Sequence, residues 1–350
     1  MPKGLNSFAA RVVAWQRQAG RHDLPWQRDR DPYRVWLSEI MLQQTQVSTV
    51  VGYFERFVAQ LPTVQHLANA SEDEVLGLWS GLGYYARARN LHRAAQQIVQ
   101  QHGGEFPRTA QECLTLPGVG RSTAAAITSV CFGERESILD GNVKRLLSRY
   151  LGFAGDLAQA REVDALWAQA QALLPKHSQD MPTYTQALMD LGALCCKPRQ
   201  TDCARCPVRA DCRGHAEGDP LRYPIKTKRL LRRAETWWVL LAYDRQQRVA
   251  LLRRPPRGVW GGLYAPPMWR EEAPLQALLH PDMCPLVDSV RKHVLTHKDL
   301  YLHPIWVPWT RAQAPEGQWV SPETWPTLGL PAPVREWLIA GPPARGGAAG

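Results

Sequence analysis

Four cysteines close together constrain this chain more than any other feature: Cys196, Cys203, Cys206 and Cys212, spaced C-x6-C-x2-C-x5-C. The start, Met1-Pro-Lys-Gly-Leu-Asn-Ser, holds no apolar signal-peptide core, so a cytoplasmic chain with reduced thiols is expected. Thiols this near one another then point to a metal rather than to disulfides. Thiolates are soft donors that suit a four-cysteine zinc site or an iron–sulfur cluster, and the spacing leaves both open. Cys195 is expected to be a buried spare. Cys113, Cys131 and Cys284 stand among apolar residues and read as core.

A length of 350 residues suggests two domains. Up to residue 212 the pattern is helical. Leu37, Ile40 and Met41 share a face on a helix that Asp31-Pro32 would open, with proline at its first position. Leu91, Ala95 and Ile98 form a second apolar stripe, and Val143, Leu146, Leu147 and Tyr150 a third. Residues 213–233 change character: Gly214, Gly218, Pro220 and Pro224 alternate with lysines and arginines, as in a basic, exposed linker. Beyond it, Trp237–Tyr243 and Arg248–Leu252 flank Asp244–Gln247 and read as two strands and a turn, opening a smaller mixed α and β domain over 234–340. The tail, 341–350, has nothing to bury and is expected to be disordered. No run of 18 apolar residues offers a membrane span, and 45% hydrophobic residues exclude wholesale disorder. The net charge of +10 favours a polyanionic partner without naming one.

Leu116-Pro-Gly-Val-Gly120 immediately precedes Arg121-Ser-Thr-Ala-Ala-Ala-Ile127. Gly118 and Gly120 permit positive φ and clear side chains from consecutive backbone N–H groups, and the helix that follows adds its own free N–H groups and positive dipole end. Such a turn suits a DNA phosphate, although a plain tight turn has the same composition. Twenty residues further on lies Leu139-Asp-Gly-Asn-Val-Lys-Arg145.

Together these motifs resemble the helix–hairpin–helix base-excision glycosylases. More narrowly, Trp36-Leu-Ser-Glu-Ile-Met-Leu-Gln-Gln-Thr-Gln-Val47 and Gly81-Leu-Gly-Tyr-Tyr-Ala-Arg-Ala-Arg-Asn90 are similar to the adenine DNA glycosylases of the MutY type, over roughly residues 20–215 and more faintly 230–340. The resemblance implies two α-helical lobes over 1–212, a [4Fe–4S] cluster on the four cysteines, and a C-terminal α+β domain like MutT and the Nudix proteins. It also implies a monomer acting on double-stranded DNA, removing adenine mispaired with 8-oxoguanine or guanine. Adenine leaves poorly as an anion, so this chemistry calls for a proton on the base and negative charge beside the sugar; two carboxyl groups in different environments can divide those tasks. By resemblance Glu39 is the acid, its pKa raised by burial near Trp36 and Ile40, and it later assists water. Asp140 caps a helix, where backbone N–H bonds would keep it ionised as the stabiliser of a cationic sugar, and Asn142 supports the pair.

Strand-cutting relatives similar to endonuclease III place a Schiff-base lysine two residues beyond the hairpin. Here that residue is Ser122, which argues for base removal alone and against the alternative of a pyrimidine glycosylase with lyase activity. By the same resemblance, Trp26, Gln27, Leu42 and Gln186 form the adenine pocket, and Gln43 and Tyr84 wedge into the DNA. Arg87 and Arg89 read as phosphate contacts or surface charges. In the C-terminal domain, Arg253–Tyr264 carries the likeness, but no Arg-Glu-x-x-Glu-Glu cluster for Mg²⁺ follows it, so a reader of the lesion strand is expected rather than a hydrolase. Leu295-Thr296-His297 occupies the place of the family's recognition loop, with Leu where that loop has Phe.

Overall fold

The computed structural model describes residues 7–227, 232–309 and 315–344; residues 345–350 of the tail and 228–231 of the linker lie outside them. Packing divides the chain into two compact units, one of residues 1–69 and 90–229, the other of 70–89 and 230–350. The sequence limits of 1–212, 213–233 and 234–340 follow a change of composition. The units follow packing, which carries residues 70–89 into the second.

The first unit is helical. Helix Pro32–Leu42 opens as the sequence suggests: Asp31 accepts a hydrogen bond from Arg34 N at 3.0 Å and proline follows it. Its inner face buries Trp36, Leu37, Ile40 and Met41, side chains that each contribute roughly 1.5–3 kcal/mol when removed from water. Helix Gly141–Leu151 turns Val143, Leu146 and Leu147 into a core shared with Phe8, Val12, Leu166, Tyr184 and Leu188. Tyr150 packs on Phe8 with ring centroids 4.5 Å apart. On helix Ala86–His102, Leu91, Ala95 and Ile98 are all buried.

Helix Arg121–Phe132 starts at Gly120 and is buried over Thr123–Ser129. Only one of the two hairpin glycines uses its conformational freedom. Gly118 has φ 77°, and a Cβ there would stand 2.7 Å from Asn90 Cβ. Gly120 is extended at φ −94°, correcting the expectation for it. Helix Met181–Asp190 runs on into a π turn, Leu191–Cys195, that delivers the chain to the four cysteines. Of the cysteines read as core, Cys113 and Cys195 are buried and Cys131 half-buried, but Cys284 is exposed; its apolar neighbours in sequence do not cover it in space.

The second unit is built on a mixed sheet. Strand Arg233–Tyr243 runs parallel to Lys298–Pro308, in register from Arg233 opposite Lys298 to Tyr243 opposite Pro308, and antiparallel to Val249–Arg253. The turn between the first pair in sequence is held by Asp244, which accepts from Arg248 N at 2.9 Å, with Gln247 at φ 60°. Helix Glu72–Leu78 and the turn after it belong to this unit. Ser80 Oγ and Tyr85 OH both donate to the carbonyl of Leu330, at 3.0 and 2.6 Å. At Gly77 a Cβ would lie 2.1 Å from the carbonyl oxygen of Thr327, so no larger residue fits without backbone movement.

Candidate active site

Glu39 lies on the third turn of its helix, half-buried, in the lining of a cavity of about 210 Å³ shared with Trp26, Gln27, Ser38, Arg21 and Gln186. Trp26 is fixed there edge-on against Phe54, centroids 5.3 Å apart. Burial pushes the Glu39 carboxyl up to about 7, and the nearby Asp140 carboxylate adds to the rise. Asp140 caps its helix, Oδ1 accepting from Val143 N at 2.8 Å. Its own pKa is raised too, because burial outweighs the N–H groups of Val143 and Asn142 and the charges of Arg145 and Lys144. These donors and cations limit the rise without reversing it.

Ser122 Oγ accepts from Leu139 N at 3.1 Å, tying the hairpin helix to the residue before Asp140. Asn142 Oδ1 accepts from Arg145 Nη2 at 2.8 Å, and the same guanidinium donates to the carbonyls of Gly192 and Cys196 at 2.6 and 2.7 Å. A Cβ on Gly192 would stand 2.6 Å from Asn142 Cβ, so the π turn approaches the Asp140 helix only because glycine is there. In the hairpin, Val119 N is spent on Leu116 O at 3.1 Å. Gly118 and Gly120 stand where helix Arg121–Phe132 begins.

Of the expected pocket residues, Trp26, Gln27, Glu39 and Gln186 line one cavity. Leu42 and Gln43 are half-buried at the end of the Glu39 helix and are not part of that lining. Sequence reasoning missed Arg21 and Asp190. Asp190 is fully buried and accepts from Gln16, Arg21 and Gln186. Its one sequence signal is an acidic residue four places after Gln186, at the end of the same helix.

Cys196, Cys203, Cys206 and Cys212 line a second cavity together with Cys195, Arg149 and His215. Tight 3-10 turns at Cys203–Arg205 and Arg209–Asp211 space the last three. Arg149, buried, donates to Cys196 Sγ at 3.3 Å and to the carbonyls of Lys197 and Pro198. Burial pushes the Cys206 thiol up to about 12. Four thiols on one cavity, beside a buried cation, fit a metal group bound through sulfur, where positive metal centres would offset the cost of buried thiolates. Among the described residues no three His, Cys, Asp or Glu side chains converge on a single-ion site.

In the second unit Tyr84 is 45% exposed and has φ 51°, between Gly81 at 99° and Gly83 at 76°. A non-glycine residue in that region is strained by about 1–3 kcal/mol and recurs at functional turns. Thr296 Oγ donates to Tyr84 OH at 3.0 Å. Thr296 and His297, both exposed, are the tip of the hairpin closed by Leu295 N on Lys298 O at 2.8 Å. Arg87 and Arg89 both bond backbone carbonyls, so neither is a free surface charge. Arg87 is buried and donates to the carbonyl of Gly83 at 3.1 Å, while Arg89 donates to that of Gly261 at 2.8 Å. A turn with three positive φ values leaves carbonyls that need donors, and Arg87 supplies one; Arg89 serves the separate loop at Gly261.

Residues 37–170 match the family described as HhH-GPD superfamily base excision DNA repair protein, and residues 238–340 match the NUDIX domain. The solved structure of a thermostable thymine-DNA glycosylase superposes with a TM-score of 0.54 at 28% identity, covering 60% of this chain and 95% of that one. A protein of this class is a DNA-repair glycosylase carrying an added sheet domain. The adenine DNA glycosylase of Buchnera aphidicola subsp. Schizaphis graminum is 32% identical over 342 residues, 95% of this chain and 97% of that protein. The human adenine DNA glycosylase is 43% identical over 219 residues, 60% of this chain and 39% of that protein. The chain belongs to the adenine DNA glycosylase family. No helix among the described residues is long and apolar enough to cross a membrane.

Proposed function

We propose that this enzyme works as a monomer on double-stranded DNA, hydrolysing the N-glycosidic bond of adenine opposite 8-oxoguanine or guanine without cutting the strand. The observation that carries the reading is the coupled carboxyl pair, with Glu39 raised to about 7 on the wall of a cavity of about 210 Å³. In this reading the flipped adenine enters beside Trp26, Gln27 and Gln186. Glu39 donates its proton to adenine N7, and the electron pair of the C1′–N9 bond leaves with the base. Asp140 ionises first of the two, because its N–H donors and cations favour the carboxylate, and it faces the cationic sugar. The Glu39 carboxylate then takes a proton from the water that attacks C1′. Asn142 holds the end of the Asp140 helix, and Ser122 supplies no amine for a Schiff base.

Gly118 and Gly120 would take a phosphate, and Gln43, Leu42 and Tyr84 would fill the stack. The tip residues Thr296 and His297 would meet the base opposite. Cys196, Cys203, Cys206 and Cys212 would hold a [4Fe–4S] cluster, whose contribution when bound is to fix the loop they span. Support comes from the shared cavity and the all-sulfur donor set. A purified sample should be brown, with four irons and four sulfides per chain; a colourless sample with one zinc would overturn that assignment.

The deciding measurement is base release across a panel of mispairs. Adenine freed opposite 8-oxoguanine and guanine, with strand breaks only after heat or base, is the expected result. Pyrimidine release with spontaneous strand cleavage would overturn the reading.

A further inference from the structure

Gln186 does not sit freely in its cavity. Its Nε2 donates to Asp190 Oδ1 at 2.9 Å, and Asp190 is completely buried. Arg21 donates to the same oxygen through Nε and Nη2 at 2.8 and 2.5 Å. Oδ2 accepts from Arg21 N at 2.8 Å and Gln16 Nε2 at 3.0 Å. Five donors saturate the carboxylate. A carboxylate paired with a guanidinium can only accept, so an amide beside it must offer its NH2 group. This fixes which end of Gln186 is which, independently of how nitrogen and oxygen are told apart. One N–H of the amide is committed to buried Asp190, which turns Nε2 toward the carboxylate and leaves Oε1, with no hydrogen bond among the described residues, as the acceptor offered to the cavity Gln186 lines.

We propose that Asp190 is a positioning residue: by locking the Gln186 amide with its carbonyl toward the base, it makes the pocket select a purine bearing a 6-amino group and reject a 6-oxo purine. The inference rests on reading this cavity as the adenine site. The two purine classes differ on one edge. Adenine offers an acceptor at N7 and a donor at N6; guanine and hypoxanthine offer acceptors at both N7 and O6. A carboxylic O–H on Glu39 and a carbonyl on Gln186 match the first pattern. Against the second, Oε1 would meet O6 lone pair to lone pair. An amide free to flip would accept either base, and the ion-paired Asp190 prevents the flip.

The test is the ratio of single-turnover excision rates for adenine and hypoxanthine opposite the same 8-oxoguanine, in folded protein checked by circular dichroism. Asp190→Asn can itself present either a donor or an acceptor, and should lower the ratio about tenfold or more, the loss of roughly one edge contact. A simple packing defect would slow both bases alike and leave the ratio unchanged. If Asp190→Asn does not fold, Asp190→Glu, which keeps a partner for Arg21 but displaces the carboxylate by a methylene, should lower it about threefold. An unchanged ratio in the folded variant overturns the proposal. Gln186→Met separates the two layers. If it lowers the ratio while the Asp190 variants do not, the clamp fails and the pocket reading stands; if it too leaves the ratio unchanged, the pocket reading fails with it.

Discussion

Two sets of carboxylates, one in each unit, are treated in opposite ways. In the helical unit burial displaces both Glu39 and Asp140 upward, and the charge of Asp140 adds to the rise at Glu39. In the sheet unit Glu235 is held below its ordinary value by Lys298, which bonds it directly, and Asp299, Asp244 and Glu72 pair with Lys292, Arg248 and Arg253 near the surface. Exposed pairs of that kind contribute little, about 0–1 kcal/mol each, and they ask nothing of the fold. Burying two acids together costs stability, and it is tolerated where a proton has to be held near neutral pH. The difference teaches where to look for chemistry: the acids proposed as catalytic are two that burial displaces upward.

The sharpest way to break this contrast is to neutralise one acid from each unit. Glu39→Gln should slow adenine release about 10²- to 10⁴-fold, whereas Glu235→Gln should leave it within about twofold; equal losses would erase the distinction. Next in size is the pH dependence. Since the folded-state pKa of Glu39 lies above its unfolded value, its stabilising contribution is complete below about 4.5 and disappears as pH rises through about 7. Relative to Glu39→Gln, wild-type protein should therefore lose roughly 1–3 kcal/mol between pH 4.5 and 8, measurable by urea unfolding, and adenine release should fall above pH 7. A flat stability difference would mean that Glu39 is not buried in the way the cavity implies.

A comparable perturbation of the sheet unit needs sterics rather than charge. Gly77→Ala sets a methyl group against the Thr327 carbonyl and should cost about 1–3 kcal/mol. Hydrogen exchange should quicken across helix Glu72–Leu78, with helix Pro32–Leu42 unaffected. The smallest effect belongs to Thr296→Ala, which removes one exposed hydrogen bond to Tyr84. It should cost about 0.5–1.5 kcal/mol, seen as weaker binding of the mispair rather than slower chemistry.

Much of this was legible in the chain itself. Asp31-Pro32 fixes the start of the Glu39 helix because capping and proline geometry are local, and Asp140 announces its cap for the same reason. The four-cysteine spacing and Leu116–Gly120 likewise locate the sulfur-lined cavity and the hairpin. What stayed hidden depends on distance. The net direction of the Asp140 shift is set by how deeply the helix packs, which no neighbour in sequence reports. Arg21 and Asp190 lie 169 positions apart, and neither has a motif around it. Arg87 and Arg89 look like surface charges until the carbonyls they serve, those of Gly83 and Gly261, are seen. Residues 70–89 carry an ordinary helical pattern; nothing local says that their partners are Thr327 and Leu330.

That last placement has a temporal side. Ser80 and its acceptor on Leu330 are 250 positions apart, so during synthesis the donor emerges long before the loop that will receive it. Residues 70–89 must wait for Leu330 to be made, and closing so long a loop is slow and entropically costly. A gene shortened after residue 227 would thus produce more than a missing domain: it would leave residues 70–89 without Leu330, the distant residue that holds them.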